Sequence, residues 1–400
     1  MHVMMVHNFY QQPGGEDRVF ADEANLLERR GHVVERFALH NSSIDGQRAW
    51  RVLSDTFWNR RAAKAVHDTV RKSKIAIVHF HNIFPLISPA AYYGARAAGA
   101  AVVQTLHNFR LLCPNALFLR RGRACEKCLG RRLAWPAAVH RCYRNSRLQS
   151  TAVAAMLAFH RTMGTWRRAV DAFICLSQFS HAKFIEGGLP PHKLFVKSNF
   201  VDTDPGMSLR ERTGTAFVGR LGAEKGLELL LDAWRQVPGD VNLYVAGEGP
   251  LHDYLRRAAE RDRRIVPMGT IPPSEVDELL GSVACLVVPS ICYENQPRVV
   301  LEAFARGTPV AVPRRGAMAE LVSEGRNGIL FTSGDATDLS LQIRKLLAAP
   351  SAERDEMRLA ARTTYEKYYT PDANYAALMS VYERALAQRR PGRASATLGA

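Results

Sequence analysis

Two glutamates, Glu294 and Glu302, stand with seven residues between them in the segment YENQPRVVLEAFARGTPVAV, Tyr293 to Val312. An ionised carboxylate can accept hydrogen bonds from two hydroxyls at once, which suits the vicinal diol of a ribose or hexose. Pro297 fits the first position of a helix, where its missing N–H is no loss. Glu302 would then rise from the first turns of that helix and Glu294 from the loop before it. The free N–H groups at such a helix start favour an anion, for example a sugar diphosphate. Taken alone, the pair fits equally well a helix start with one acid near the dipole and a second acid on the surface.

Other residue patterns have chemical potential. In HNFYQQPGGED (His7 to Asp17), Gly14 and Gly15 sit between a first strand and a helix. A glycine pair there lets backbone N–H groups approach an oxyanion or a hydroxyl. The spacing is not GxGxxG, so it carries no NAD fingerprint. His107, in TLHNFRLLCPN, falls at a strand end, followed by Asn108 and Arg110. His79 and His81 occupy another strand end, where they either touch an acceptor or pack locally. Four of the seven cysteines, Cys113, Cys125, Cys128 and Cys142, cluster with a C-x2-C at their centre. Such a set can form a tetrahedral zinc site with four thiolates; four reduced thiols is the other reading, and the spacing leaves both open.

These residues need a scaffold. Short apolar runs alternate with amphipathic stretches, the signature of β–α units and a parallel sheet. Strands are predicted at 2–6, 33–37, 75–80, 101–106 and 172–176 in the first half, with a helix over 16–30 and another closed by Gly94 and Gly99. The second half repeats the scheme, with strands at 216–219, 241–246, 285–289, 309–312 and 328–331. Its helices are predicted at 225–236, 251–261, 274–280, 298–305, 336–347 and 352–367, and a last one at 372–388. The polar stretch DTDPGMSLRERTG after residue 201 is read as the junction. The expected organisation is a first domain over 1–201, joined by the C-terminal helix 371–389, a second over 202–370, and a disordered tail over 390–400.

The motifs taken in order resemble family 4 glycosyltransferases of the GT-B fold, and the resemblance covers nearly the whole chain. The glutamate block is similar to the E-x7-E signature of that family. FVGRLGAEKGLELLLDAW, Phe217 to Trp234, resembles the family's phosphate-binding segment. The resemblance implies that Arg220 and Lys225 neutralise a donor diphosphate. Gly219 and Gly222 leave the backbone open there, and Lys225 is expected to open a helix. AGEGP (with Gly247) and MGTI (with Gly269) resemble turns enclosing the nucleotide base. NFVD, Asn199 to Asp202, resembles the family's NGVD except that Phe200 replaces glycine. By the same resemblance, Gly14 and Gly15 border the donor phosphates, and Asn295, Gln296, Pro297 and Val299 share the donor site with the two glutamates. His107 lies near the transferred sugar, and His81, Asn108 and Arg110 contact the acceptor.

The fold so implied is α/β, with two Rossmann-like domains facing across a cleft. The implied reaction is transfer from a nucleoside diphosphate sugar with retention of configuration, the donor phosphate taking the acceptor proton. Glu294 would hold sugar hydroxyls and Glu302 the ribose. Asp202-Thr203-Asp204 imitates the metal-binding DxD of other glycosyltransferases, but it falls in the proposed junction before Pro205, so no catalytic metal is expected.

Charge and composition bound the remaining choices. The formal net charge is +16, with nine Lys or Arg between Arg120 and Arg147 against the single acid Glu126. A basic surface suits nucleic acid, anionic lipid or phosphorylated substrates. No zinc finger of the two-Cys, two-His type, RNP-like motif or helix-turn-helix accompanies it, so nucleic acid is not expected as partner. The expected partners are the nucleotide sugar, a lipid-linked glycan acceptor and an anionic membrane face. The apolar runs are too short to span a bilayer, and MHVMMVHNF reads as a first strand and not a signal peptide, so a cytoplasmic location is expected. The resemblance points to exopolysaccharide, lipopolysaccharide or capsule assembly. A phosphorylase-like enzyme using free phosphate and a basic nucleic-acid-binding protein are the competing readings.

Overall fold

The computed structural model describes residues 1–12 and 14–389; the tail 390–400 lies outside the described residues. The chain divides into two compact units. Among the described residues the first comprises 1–116, 126–197 and 374–389; the second comprises 117–125 and 198–373.

The first unit is built on six strands: β1 (His2–Phe9), β2 (Val33–His40), β3 (Ile77–Phe80), β4 (Ala101–Leu106), β5 (Ala172–Cys175) and β6 (Leu194–Val196). They lie in the order β2-β1-β3-β4-β5-β6, and every neighbouring pair is parallel. Every residue of β3, β4 and β5 is buried, as expected of strands covered by helices on both faces. One face of this sheet packs against helix Gly15–Arg29 and against the C-terminal helix Pro371–Arg389. Leu378, Val381, Tyr382 and Ala385 of the latter join Val3, Met5, Phe20 and Ile77 in a single core. Helix Pro371–Arg389 therefore completes the core of the first unit.

The second unit carries β7 (Thr215–Val218), β8 (Leu243–Ala246), β9 (Ile265–Gly269), β10 (Cys285–Val287), β11 (Val310–Pro313) and β12 (Gly328–Phe331). Their order is β9-β8-β7-β10-β11-β12, again all parallel. This is the doubly wound dinucleotide-binding order, with the winding direction reversing between β7 and β10. One face buries Leu227, Leu230, Leu231 and Trp234 of helix Leu227–Trp234; the other buries Val300, Leu301 and Phe304 of helix Arg298–Ala305. The two parallel sheets with flanking helices are those expected from the alternating pattern.

Three features depart from the sequence reading. Strands β6 and β9 were not predicted. The first is three residues long, and the second carries Pro267 at the sheet edge beside a break in register, so neither shows an uninterrupted β pattern. The helix expected over 225–236 begins at Leu227, because Gly226 takes a left-handed conformation and Ala223–Lys225 form a separate 3-10 turn. Pro297 is the residue before its helix and not the first inside it. The boundary at residue 201 also moves. The segment Leu117–Cys125, assigned by position to the first domain, belongs to the second unit. It forms a small hairpin, Leu119–Arg120 with Arg123–Ala124, preceded by the fully buried Phe118. Nothing in its local sequence reports which core Phe118 joins.

Candidate active site

In the second unit the site grows from the point where the sheet reverses direction. β7 leads into Gly219–Lys225 and β10 leads into Ser290–Glu294, so both loops leave the carboxyl ends of adjacent strands. Ligands of open α/β sheets bind there. The structure brings Lys225 and Glu294 together: Lys225 Nζ donates to Glu294 Oε1 at 2.6 Å, and Ser290 Oγ donates to the same oxygen at 2.8 Å. Burial opposes both charges, but each partner offsets it for the other. The Lys225 pKa is held above its ordinary value and the Glu294 pKa below its own. The pair is therefore ionised.

Glycine geometry positions the loop. Gly247 has φ 135°, and a Cβ on it would lie 1.9 Å from the Gly219 carbonyl oxygen. Only glycine allows the β7 and β8 turns to meet so closely. Gly219 N–H donates to Ala246 O, Gly247 N–H to Gly269 O and Leu221 N–H to Glu248 O, so three successive strand ends are stitched backbone to backbone. Gly226 seals the other side, since a Cβ there would strike Pro289 O at 2.1 Å. Lys225 is thus aimed by main-chain contacts on both flanks.

The remaining donor-side residues take varied roles. Arg220 is exposed and pairs with Glu224 at 2.5 Å, four residues along. Glu302 accepts from Arg298 Nε at 2.9 Å on the helix that follows Glu294. Val299 packs against the core. Asn295 and Gln296 are buried, and Gln296 Oε1 accepts the Asn199 N–H at 2.5 Å, so its carbonyl ties the NFVD stretch to this loop. The hairpin lies against the same loop: Tyr293 N–H donates to Leu117 O, and the Tyr293 ring packs edge-on to Phe118 at 5.9 Å. Asp204 of the DTD triplet is held by Arg362 through two hydrogen bonds of 2.6 Å.

In the first unit, polar residues gather at the carboxyl ends of β1, β3 and β4. His107 Nε2 lies 2.9 Å from His81 Nδ1. His79 is internal: its nitrogens meet Tyr382 Oη at 2.9 Å and Thr105 Oγ1 at 2.8 Å, which decides for local packing. Gly14 caps helix Gly15–Arg29, and Asp17 closes the turn by accepting the Gly14 N–H at 2.8 Å while its other oxygen meets His7 Nε2 at 2.6 Å. Neither Gly14 nor Gly15 has a left-handed φ, and a Cβ on either would meet nothing. Asn108 Oδ1 accepts the Arg110 N–H, and the Arg110 guanidinium lies over the ring of Phe84 at 4.4 Å and that of Tyr143 at 5.2 Å.

Both halves of the chain match family models. Residues 13–205 match the model described as Glycosyltransferase Family 4, and residues 212–349 match that described as Glycosyl transferases group 1. This chain belongs to the family 4 glycosyltransferases and has the GT-B fold. Among curated relatives, it is similar to sulfoquinovosyl transferase SQD2 of Arabidopsis thaliana, with 34% identity over 154 residues, 38% of this chain and 29% of that protein. The chain matches well under two thirds of the length of such relatives. Its fold is that of Anabaena HepE in complex with UDP and glucose (TM-score 0.69, 18% identity, 96% of this chain and 100% of that one). Sucrose-phosphate synthase of Thermosynechococcus elongatus is similar as well (TM-score 0.71, 15% identity, 96% and 99%).

Two ionisable groups of the first unit, Glu16 and Tyr10, are not among the site residues expected from the sequence. Burial raises the Glu16 pKa to about 7, although hydrogen bonds from Tyr10 and Asn108 and the charge of Arg110 oppose it. The same environment raises the Tyr10 hydroxyl further. The only signal was an acid directly after the glycine pair, which resembles an ordinary first-turn acid. The folded protein holds the Glu16 proton more tightly than the unfolded chain does. Its stabilising share is complete at acid pH and is lost as pH rises through about 7. Glu16→Gln should therefore gain stability over the parent protein between about pH 5 and pH 8, on the order of 2 kcal/mol. Thermal unfolding across that range measures the difference, and a gap that does not vary with pH would count against it.

Proposed function

We propose that this chain is a retaining glycosyltransferase that moves a sugar from a nucleoside diphosphate sugar to a lipid-linked glycan in exopolysaccharide, lipopolysaccharide or capsule assembly. The observation that carries the reading is the ionised Lys225–Glu294 pair at the reversal point of the second sheet. An arriving diphosphate offers Lys225 a doubly charged partner in place of one carboxylate. Glu294 is then free to accept from the sugar hydroxyls, while Arg220 and the start of helix Arg298–Ala305 meet the remaining phosphate charge. Glu302 is read as the ribose ligand.

Retention follows from attack on the face that the diphosphate leaves, with a phosphate oxygen taking the acceptor proton. The protein contributes orientation and stabilisation of the leaving diphosphate. No step is assigned to a divalent ion: Asp204 is bound by Arg362, and the cations at the donor segment are side chains. His107, Gly14 and Gly15 are read as first-unit contacts to sugar and phosphate, with Asn108 and Arg110 on the acceptor side; His81 is buried between Glu23 and His107, so the acceptor contact expected of it from the sequence is not proposed. The open space at both glycines supports that reading, because no local contact accounts for the missing side chains. A thermal-shift screen of nucleoside diphosphate sugars in EDTA, followed by detection of released nucleoside diphosphate, tests the class and the donor together. UDP-glucose is the first choice, given the ligands of the Anabaena HepE complex. Release of sugar phosphate from free phosphate instead would favour a phosphorylase.

Two further expectations accompany this reading. The first unit exposes Leu133, Trp135, Val139 and Leu148 among Arg131, Arg132, Arg141, Arg144 and Arg147. Apolar side chains set in a basic field suit the headgroup region of an anionic membrane. No helix among the described residues is long and apolar enough to cross one. Binding to vesicles containing phosphatidylglycerol should weaken severalfold in Trp135→Ser/Leu148→Ser, and unchanged sedimentation would refute this face.

The other expectation is a structural zinc, for which the sequence offers Cys113, Cys125, Cys128 and Cys142, although Cys125 is assigned to the second unit and the other three to the first. Cys128 and Cys142 come together in a small cluster with Ala134, Ala137 and Ala154. Protein purified without chelator should carry about one zinc per chain, reduced in Cys125→Ser. Absence of zinc with four freely alkylated thiols would exclude it.

A further inference from the structure

Behind His107 lies a chain of buried polar groups that the reaction as described does not use. Lys197 Nζ donates to Glu23 Oε1 in a short contact, and both side chains are essentially inaccessible. The other oxygen, Glu23 Oε2, faces His81 Nε2 at 3.4 Å. Both atoms are buried, and neither makes a hydrogen bond of good geometry among the described residues, this approach included. His81 Nδ1, on the far side of its ring, lies 2.9 Å from His107 Nε2.

We propose that Glu23 and His81 are positioning residues that hold His107 as the neutral tautomer protonated on Nε2, leaving His107 Nδ1 to accept a hydrogen bond from a hydroxyl of the transferred sugar. The part that concerns sugar rests on the function proposed above; the tautomer does not.

The assignment follows from donor and acceptor accounting. Glu23 is a carboxylate, kept so against burial by the Lys197 charge. If His81 Nε2 carried no proton, two lone pairs would face each other inside the protein, which is costly in a buried site. Nε2 must therefore be protonated. Burial keeps the His81 pKa below its ordinary value despite Glu23, so the ring is neutral and its Nδ1 is bare. The atom 2.9 Å from that lone pair must then be a donor, and it is His107 Nε2. His107 is itself held neutral by burial and by the neighbouring imidazole, so its one proton is on Nε2 and Nδ1 is bare. His79 does not compete, because both its nitrogens are engaged elsewhere. Glu23, His79 and His81 are also close enough to hold a cation, but the Lys197 ammonium already supplies positive charge to that carboxylate. A ring nitrogen whose partner fixes its neighbour's tautomer is a familiar arrangement for an orienting histidine.

The tautomer is measurable directly. In protein labelled with 15N-histidine, two-bond proton–nitrogen correlation spectra distinguish the two neutral forms and the cation, and His107→Gln identifies the resonance. The Nε2–H pattern at pH 7 is expected for His107; the Nδ1–H pattern or a charged ring would overturn the proposal without any mutation in the network. His81→Phe, which offers no acceptor, should return His107 to a mixture of tautomers. It should lower kcat by about tenfold, the equivalent of one hydrogen bond, with nucleotide affinity unchanged. His81→Gln, whose carbonyl oxygen can accept in place of Nδ1, should restore most of the rate. Turnover unchanged in His81→Phe, or no recovery in His81→Gln, would overturn the link to catalysis. If the unmodified protein binds no nucleotide sugar, the proposed function fails while the tautomer result stands.

Discussion

Lys225→Ala should lower donor-dependent turnover by about 100-fold or more (~3 kcal/mol) and weaken donor binding in parallel, with the fold retained. Two effects combine. The charge that meets the diphosphate is gone. Glu294, whose ionisation depends on Lys225 against burial, is left without its counter-ion, so its pKa must rise. A protonated Glu294 can no longer accept from two sugar hydroxyls. The two residues should therefore be strongly coupled, and Lys225→Ala/Glu294→Gln should be little worse than Lys225→Ala alone. The fold survives because the loop is set by the main-chain contacts of Gly219, Gly226 and Gly247 and not by the ammonium. Isothermal titration with the donor and steady-state rates measure both quantities. Donor affinity and turnover like those of the parent protein would remove Lys225 from the site.

Lys197→Met should destabilise the first unit by about 3–5 kcal/mol, because it strands a buried carboxylate. Glu23 and Lys197 lie in the interior, and the remaining neighbours of Glu23 are neutral imidazoles. The pH dependence should change sign. In the parent protein the Glu23 pKa is well below that of an exposed glutamate. Its contribution is present above the unfolded-state pKa and is lost as pH falls through the folded one. Without Lys197, burial raises the Glu23 pKa, and stability falls as pH rises above about 4.5 instead. Glu23→Leu/Lys197→Met, which removes both charges, should recover much of the loss. Thermal unfolding between about pH 4 and pH 8 reads all three proteins. A Lys197→Met variant as stable as the parent, with the same slope, would show that the pair is not what holds this interior together.

The two parallel sheets and the family were legible in the sequence because both rest on local and periodic information. Buried strands such as Ala101–Leu106 are continuous apolar runs, and helix Arg298–Ala305 was placed to the residue. The motif segments were legible for the same reason: Gly219 and Gly247 are demanded by backbone conformations that no other residue adopts easily, whereas Gly226 was read as part of a helix that it precedes. Strand β9 was illegible because a proline interrupts it at the sheet edge, where pairing and not propensity makes a strand.

What only the tertiary structure decided concerns partners distant in the chain. Lys225 and Glu294 are sixty-nine residues apart, and the β7–β10 adjacency that joins them is a property of strand order. Gln296 reads as a donor ligand in its motif, yet its carbonyl is held by the Asn199 N–H. Hairpin 119–124 belongs with the second unit, where the Phe118 ring before it meets Tyr293, a residue far off in the sequence. Glu16 resembled a helix-start acid until burial beside Tyr10 and Arg110 raised its pKa to about 7. Glu23, His81 and Lys197 come from a helix, a strand end and the end of the sixth strand, and only their shared interior makes them one network. Composition and spacing determine which elements form and which turns need glycine, because those are short-range steric matters. Protonation and pairing depend on solvent exclusion and charge summed over the folded chain, which no local stretch of sequence contains.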